Sequence, residues 1–157
     1  MNKLDLMPQV FHWGFTVRDM DKAVATWKAN GSDVIVPPTE APGLDVICCF
    51  LKYRGTAPIE LVAPANDKSM IYQVLDKTGG GLDHVCFFAD DVPGQLAAYE
   101  ATGAQIMVPA TYNFPFDRDI SFVMTPMGLM VEVVSRKAVG RRDADPLSEY
   151  FQSQRGD

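Results

Sequence analysis

Four side chains in this sequence have types and spacings that suit metal chemistry. His12 and His84 are the only histidines, and each falls in an apolar run of strand character. Of five glutamates, Glu60 and Glu132 fall inside the apolar runs PIELVAP and LMVEVVS. An uncompensated carboxylate buried there would be costly, so a partner for the charge is expected. Two imidazoles and two carboxylates form a mixed nitrogen–oxygen donor set for one divalent ion. Zn, Mn, Fe, Co and Ni all suit such a set, which leaves coordination positions for water or substrate. Taken singly, a strand histidine reads as a satisfied core residue, and a strand glutamate as an outward-facing or arginine-paired one. Their symmetric placement favours ligation.

The symmetry comes from a duplication. FHWGFTVRDMDKAVATWKANGSDVIVP, starting at Phe11, aligns with DHVCFFADDVPGQLAAYEATGAQIMVP, starting at Asp83, under one offset of 72 residues. His12 falls on His84, Phe15 on Phe87, Asp19 on Asp91, Trp27 on Tyr99, Gly31 on Gly103 and Pro37 on Pro109. With no gap, Ile59-Glu60-Leu61-Val62 falls on Val131-Glu132-Val133-Val134. Self-similarity at a fixed period marks repeated structural units.

Each half orders its elements alike, as β, α and three further β. The first strands are expected at 10–17 and 82–89. A helix follows each, opened by Asp19 or Asp91 as N-cap and closed by Gly31 or Gly103. Met20, Val24 and Trp27 share one helical face; Val92, Leu96 and Tyr99 share the other. Strands are then expected at 33–36, 44–52 and 58–63, and at 105–109, 120–124 and 129–135. Alternation along a strand puts each histidine on the same side as the residue two further on. These are Gly14 and Cys86, small enough to leave room beside the imidazoles. The sequence therefore predicts one α+β domain over 1–157, built of tandem βαβββ modules at 10–64 and 82–135. The segment 65–81 holds a linker helix at 67–77, with Met70, Ile71, Val74 and Leu75 as its apolar stripe. A polar tail fills 136–157, with a weak helix at 146–152.

A net charge of −6 argues against nucleic acid or an anionic membrane surface as partner. No apolar run reaches the roughly 18 residues of a membrane-spanning helix. Met1–Gln9 lacks the layout of a signal peptide. Cys48, Cys49 and Cys86 form an odd set in apolar runs, which points to reduced thiols and a cytoplasmic protein. No paired cysteine spacing supports a zinc finger. Gly79-Gly80-Gly81 lacks the following Lys-Ser/Thr of a phosphate loop and precedes a strand.

The repeated unit with His12, Glu60, His84 and Glu132 resembles the vicinal oxygen chelate superfamily over roughly residues 10–135. That group includes glyoxalase I, extradiol dioxygenases, bleomycin-resistance proteins and methylmalonyl-CoA epimerase. The epimerases look most similar, through HWGFTVRDMDKAVATW, IELVAPANDKSMIYQVLDKTGGGLDHVCFF and MVEVV. The resemblance implies that the four residues ligate one divalent metal and that the enzyme is an epimerase or isomerase. The reaction implied is proton removal beside a carbonyl, with the metal holding the enolate. Glu40, expected in the loop TEAPG, corresponds to the epimerase's base, and Glu132 or Glu60 could serve instead, as in glyoxalase I. Arg18, Arg54 and Arg118 have forks suited to a CoA phosphate or a glutathione carboxylate, and Arg18 and Arg118 are taken as substrate-binding. The partner implied is a small carbonyl compound, an acyl-CoA or glutathione thioester among them, and the fold implies a homodimer. Met124-Thr125-Pro126-Met127-Gly128 stands where the epimerases carry a His-Pro-Lys turn, which puts CoA specificity in question. A glyoxalase I-like lactoylglutathione lyase would need the same four ligands. An extradiol dioxygenase uses two histidines and one carboxylate, and a ligand-sequestering resistance protein needs no metal.

Overall fold

A computed structural model of the chain describes residues 10–148 and 150. The elements run β1 (Val10–Thr16), α1 (Met20–Ala29), β2 (Ser32–Ala41), β3 (Val46–Tyr53), β4 (Ile59–Pro64) and α2 (Ile71–Thr78). Then come β5 (Gly81–Ala89), α3 (Val92–Ala101), β6 (Gln105–Asn113), β7 (Arg118–Met124) and β8 (Met130–Ser135). The α+β order expected from the repeat is thus observed, with α2 between the halves. The eight strands form one mixed sheet in the order β2-β3-β4-β1-β5-β8-β7-β6. β1 pairs in parallel with β4, and β5 with β8, while β1 and β5 join the halves antiparallel at the centre. The sheet curls into a half-barrel, and β6 reaches the short 3-10 turn Pro42–Leu44 that follows β2.

Helix termini follow the local chemistry of the sequence. Asp19 accepts from the Lys22 backbone N–H at 3.0 Å, and Asp91 from that of Gly94 at 3.1 Å, each satisfying an orphan donor of the first turn. Gly31 and Gly103 follow the helices at φ +92° and +88°, a left-handed exit that costs glycine nothing.

Strand alternation sorts the core into two faces. Val85, Phe87 and Ala89 of β5, with Val131 and Val133 of β8, pack under Val92, Leu96 and Tyr99 of α3. In the first half Ile59, Leu61 and Ala63 of β4 pack with Cys49, Leu51 and Met20 under α1. Residues between these point to the concave side, and they include His84, Cys86, Glu60 and Glu132. A third cluster fills that concavity: Phe11, Val36, Phe50, Cys86, Phe116, Ile120, Val134 and Leu147, with Tyr150 against it.

Three expectations about elements need correction. β2 continues through Pro37-Pro38 to Ala41 instead of ending at Val36, and β6 runs through Pro109 to Asn113. Both are edge strands with two register shifts each, and the prolines fall within a shift, where their missing N–H groups cost no ladder bond. The linker helix is shorter than 67–77: it begins at Ile71, with Met70 exposed at its N-cap and Leu75 alone fully buried. The polar stretch after Ser135 is tied to the sheet as far as it is described. Asp117 accepts from the backbone N–H of Gly140 and Arg141, both at 3.0 Å, and Leu147 is wholly buried. Met1–Gln9 and the end of the 146–152 helix lie outside the described residues. Among the described residues, no helix is long and apolar enough to cross a membrane.

Candidate metal centre

Four strands deliver the four predicted ligands to one point. β1 supplies His12, β4 Glu60, β5 His84 and β8 Glu132; the ligand atoms all lie within 4.8 Å of one another. All four residues are buried, none more than 3% exposed. His12 Nε2 stands 3.1 Å from Glu60 Oε2, 2.9 Å from Glu132 Oε2 and 3.3 Å from His84 Nε2. His84 Nε2 stands 3.2 Å from Glu60 Oε2 and 3.3 Å from Glu132 Oε2.

These atoms crowd one centre, with Glu60 Oε2 within hydrogen-bond reach of both imidazoles. Two imidazole nitrogens 3.3 Å apart can share at most one proton between them. Glu132 Oε2, although 2.9 Å from His12 Nε2, has no hydrogen bond of acceptable direction among the described residues. Ligands on opposite sides of an ion at about 2.0–2.2 Å would be roughly 4.0–4.4 Å apart. The observed spread needs little adjustment to reach that, so the donor set, the geometry and the orphaned oxygen all fit a single divalent ion.

The charges of the cluster couple strongly. Burial opposes protonation of His12, but the nearby Glu132 and Glu60 carboxylates outweigh it and hold its pKa above the ordinary histidine value. His84 is raised further: burial again opposes, while the Asp83, Glu132 and Glu60 carboxylates around it favour the cation. Burial pushes the Glu132 carboxyl up, yet the two histidines hold it far below the usual carboxylate range, and Glu60 is lowered likewise. Without an ion, the buried carboxylates are offset by the protons that the neighbouring imidazoles retain.

Local sequence explains the fit. His84 lies across from Gly14, and a Cβ added at Gly14 would sit 1.9 Å from its ring. The room foreseen beside the imidazoles is thus filled, at Gly14, by a ligand side chain. Cys86 lies across from His12, fully buried in the core, and burial pushes its thiol well up. Phe50 meets the edge of His12 at 5.5 Å and Phe122 that of His84 at 5.1 Å. These rings are one repeat apart, and each steadies the imidazole of its own half. Phe116, its ring 6.1 Å from that of His12, is fully buried in the cluster on the concave side.

The remaining predicted site residues do not join the four. Glu40 is exposed in β2, not in a loop, and pairs across to Ile47, which packs on the α1 side of the sheet. Cross-strand partners share a face, so Glu40 points away from the ligands. Arg18 donates to Leu75 O at 3.0 Å and Asp76 Oδ1 at 3.2 Å, and so holds α2. Arg118 is only 1% exposed and grips Asp145 with two bonds of 2.8 Å while donating to Phe116 O at 2.7 Å. It serves as a structural clamp on the C-terminal segment, not as a free anion receptor. One residue escaped the sequence reading. Asp83 Oδ2 accepts from His84 Nδ1 at 3.0 Å.

Comparison with known proteins places this geometry. Residues 11–123 match the family model described as the glyoxalase/bleomycin resistance protein/dioxygenase superfamily. No curated protein matches the sequence significantly. Among solved structures, the chain is similar to methylmalonyl-CoA epimerase from Mycobacterium tuberculosis, with a TM-score of 0.74 and 23% identity. The alignment covers 87% of this chain and 93% of that one. A Streptomyces coelicolor methylmalonyl-CoA epimerase in complex with 2-nitronate-propionyl-CoA gives a TM-score of 0.73 at 23% identity, over 83% of this chain and 99% of its own. A hypothetical protein from Bacillus halodurans C-125 gives 0.70 at 18%, over 85% and 98%. At such identities the likeness concerns the fold.

Proposed function

The chain belongs to the glyoxalase/bleomycin resistance/dioxygenase superfamily, and from that premise we propose that it is a metal-dependent epimerase or isomerase that moves a proton beside a carbonyl. The observation that carries the reading is the convergence of His12, Glu60, His84 and Glu132 in a buried cluster. Such a cluster is costly to bury without an ion and well formed to hold one. Two structural neighbours are described with 2-nitronate-propionyl-CoA and with methylmalonyl-CoA, which favours an acyl thioester as the substrate class.

A bound divalent ion supplies Lewis acidity to a carbonyl and offsets the negative charge that develops on it. The chain does the rest. His12, Glu60 and His84 hold their donor atoms at fixed positions, backed by Phe50 and Phe122. Phe116 and Leu147 exclude water from the reacting carbon, which strengthens each charge interaction within. Glu132 is the group we assign to accept and return the proton, since its carboxylate lies within the cluster on the concave side. Glu40 faces the wrong side for that task. The protein is also proposed to work as a cytoplasmic homodimer.

The test begins with metal content by mass spectrometry in the parent, Glu60→Ala and His84→Ala. About one divalent ion per parent chain, absent from both variants, supports the centre. Solvent deuterium exchange into acyl thioesters then tests the reaction, with Glu132→Gln expected to lose it. A parent that takes up no ion even after reconstitution sinks the enzyme reading and favours a ligand-sequestering role.

A further inference from the structure

The central strands carry a matched pair of β-bulges. Val10 pairs with Phe87 and His12 with Cys86, so Phe11 is an extra residue on β1. Gly14 pairs with His84 and Phe15 with Leu82, so Asp83 is an extra residue on β5. Phe11 and Asp83 are one repeat apart, and each immediately precedes a histidine of the cluster. In a regular strand consecutive side chains point to opposite faces; a bulge re-aims the extra one. The two halves use this freedom differently. Phe11 turns into the concave core, 4.1 Å from Phe88 and 5.2 Å from Phe50, with its ring edge 4.9 Å from His12. Asp83 instead brings a partly buried carboxylate to His84 Nδ1 at 3.0 Å. His12 Nδ1, fully buried, has no hydrogen-bond partner among the described residues.

We propose that Asp83 is a positioning residue that fixes His84 as the better-supported imidazole arm of the metal centre, while His12 has aromatic packing and, among the described residues, no polar partner behind its Nδ1. The proposal rests on the metal-dependent reading above. By accepting from Nδ1–H, Asp83 selects the tautomer whose Nε2 lone pair faces the cluster, and it locks the ring plane. Negative charge behind the ring also makes Nε2 a stronger donor. The asymmetry is a property of the pair of bulges: one backbone device, filled once by a carboxylate and once by a phenyl ring.

The experiment is a Co2+ competition titration against a chromophoric chelator, on the parent chain and on Asp83→Asn, Asp83→Ala and Asp83→Glu. Near-ultraviolet circular dichroism confirms that each is folded, and the near-isosteric Asp83→Asn guards against misfolding of Asp83→Ala. Losing such an outer carboxylate is expected to weaken Co2+ binding roughly 10–100-fold, most in Asp83→Ala, with Asp83→Glu recovering much of it. A second readout is nitrogen NMR of histidine-labelled, Zn2+-loaded protein. Both ligated imidazoles keep an Nδ1–H; the His84 signal is expected to carry the downfield shift of its hydrogen bond in the parent and to lose it in Asp83→Ala, while the His12 signal stays unchanged. Parent-like affinity, within about twofold, in both Asp83→Asn and Asp83→Ala would overturn this inference and leave the metal reading standing. No Co2+ binding by the parent would end both.

Discussion

Helix α1 fully buries only Met20, whereas α3 buries Val92, Gln95, Leu96 and Tyr99. Both helices begin at an aspartate cap and end before a glycine of positive φ, so their backbones are equivalent while their packing is not. The same division runs through the sheet. Asp45 and Asp117, one repeat apart, both take left-handed turns, at φ 54° and 52°, just before β3 and β7. After the first comes Val46, a buried aliphatic in a small cluster; after the second comes Arg118, clamped to Asp145. Around the ligands, Gly14 stands opposite His84 and Cys86 opposite His12. Turn positions, caps and the four clustered His and Glu side chains keep equivalent places in both copies. Side chains that meet something unique to one copy have diverged.

The sharpest way to break that correspondence is at the positions under the imidazoles. Gly14→Ala drives a methyl into the His84 ring and should abolish stoichiometric metal binding, read by equilibrium dialysis. Cys86→Ala, at the matched place, removes only a buried thiol and should retain it. Equal losses in both would show that the two sites are equivalent after all.

A smaller effect is expected at the clamp. Asp145→Ala leaves the Arg118 guanidinium buried without its carboxylate and should cost about 3 kcal/mol in urea unfolding. Arg118→Met, which removes the charge as well, should cost less. If the two variants unfold alike, the clamp is held by packing and not by charge.

The paired charges set a pH dependence. In metal-free protein the histidine pKa values lie above 6.5, so their contribution to stability is full below that value and fades as pH rises through the raised ones. The glutamate values lie below 4.5, so their contribution is present above it and fades as pH falls. Metal-free protein should therefore be most stable between about pH 4.5 and 6.5. Metal needs both imidazoles neutral, so binding near pH 7 should release protons. Each proton released should raise the apparent affinity up to about tenfold per pH unit. Calorimetry in buffers of differing ionisation enthalpy counts those protons; none released would refute the charged state of the empty cluster.

The least effect should come from the caps, where the halves are most alike. Asp19→Ala and Asp91→Ala should each cost about 1 kcal/mol. A difference larger than that between them would show that helix packing, not the cap, decides the cost.

Much of this was legible in the sequence because the duplication repeats it. A single offset located both strand–helix starts and all four residues of the buried His/Glu cluster, and buried glutamates announce a counter-charge. What stayed hidden depends on pairing between distant strands. The Pro37-Pro38 pair reads as the end of β2, but an edge strand carries it onward and turns Glu40 to the outer face. Asp83 sits beside His84 in the sequence, where alternation argues against contact; only the pairing with β1 reveals the bulge that permits it. Arg118 reads as a free cation because its partner lies 27 residues away in a segment without periodicity.

The prolines in β2 and β6 bear on how the molecule meets its own copies. The two outermost strands of an open sheet are where a second chain could dock by backbone hydrogen bonds and seed fibrils. Here Pro37, Pro38 and Pro109 lack the necessary N–H, and register shifts flank them on both strands. Ribbon extension is blocked at both margins. Contacts through side-chain surfaces differ from ribbon extension in that they can close on themselves instead of lengthening without limit.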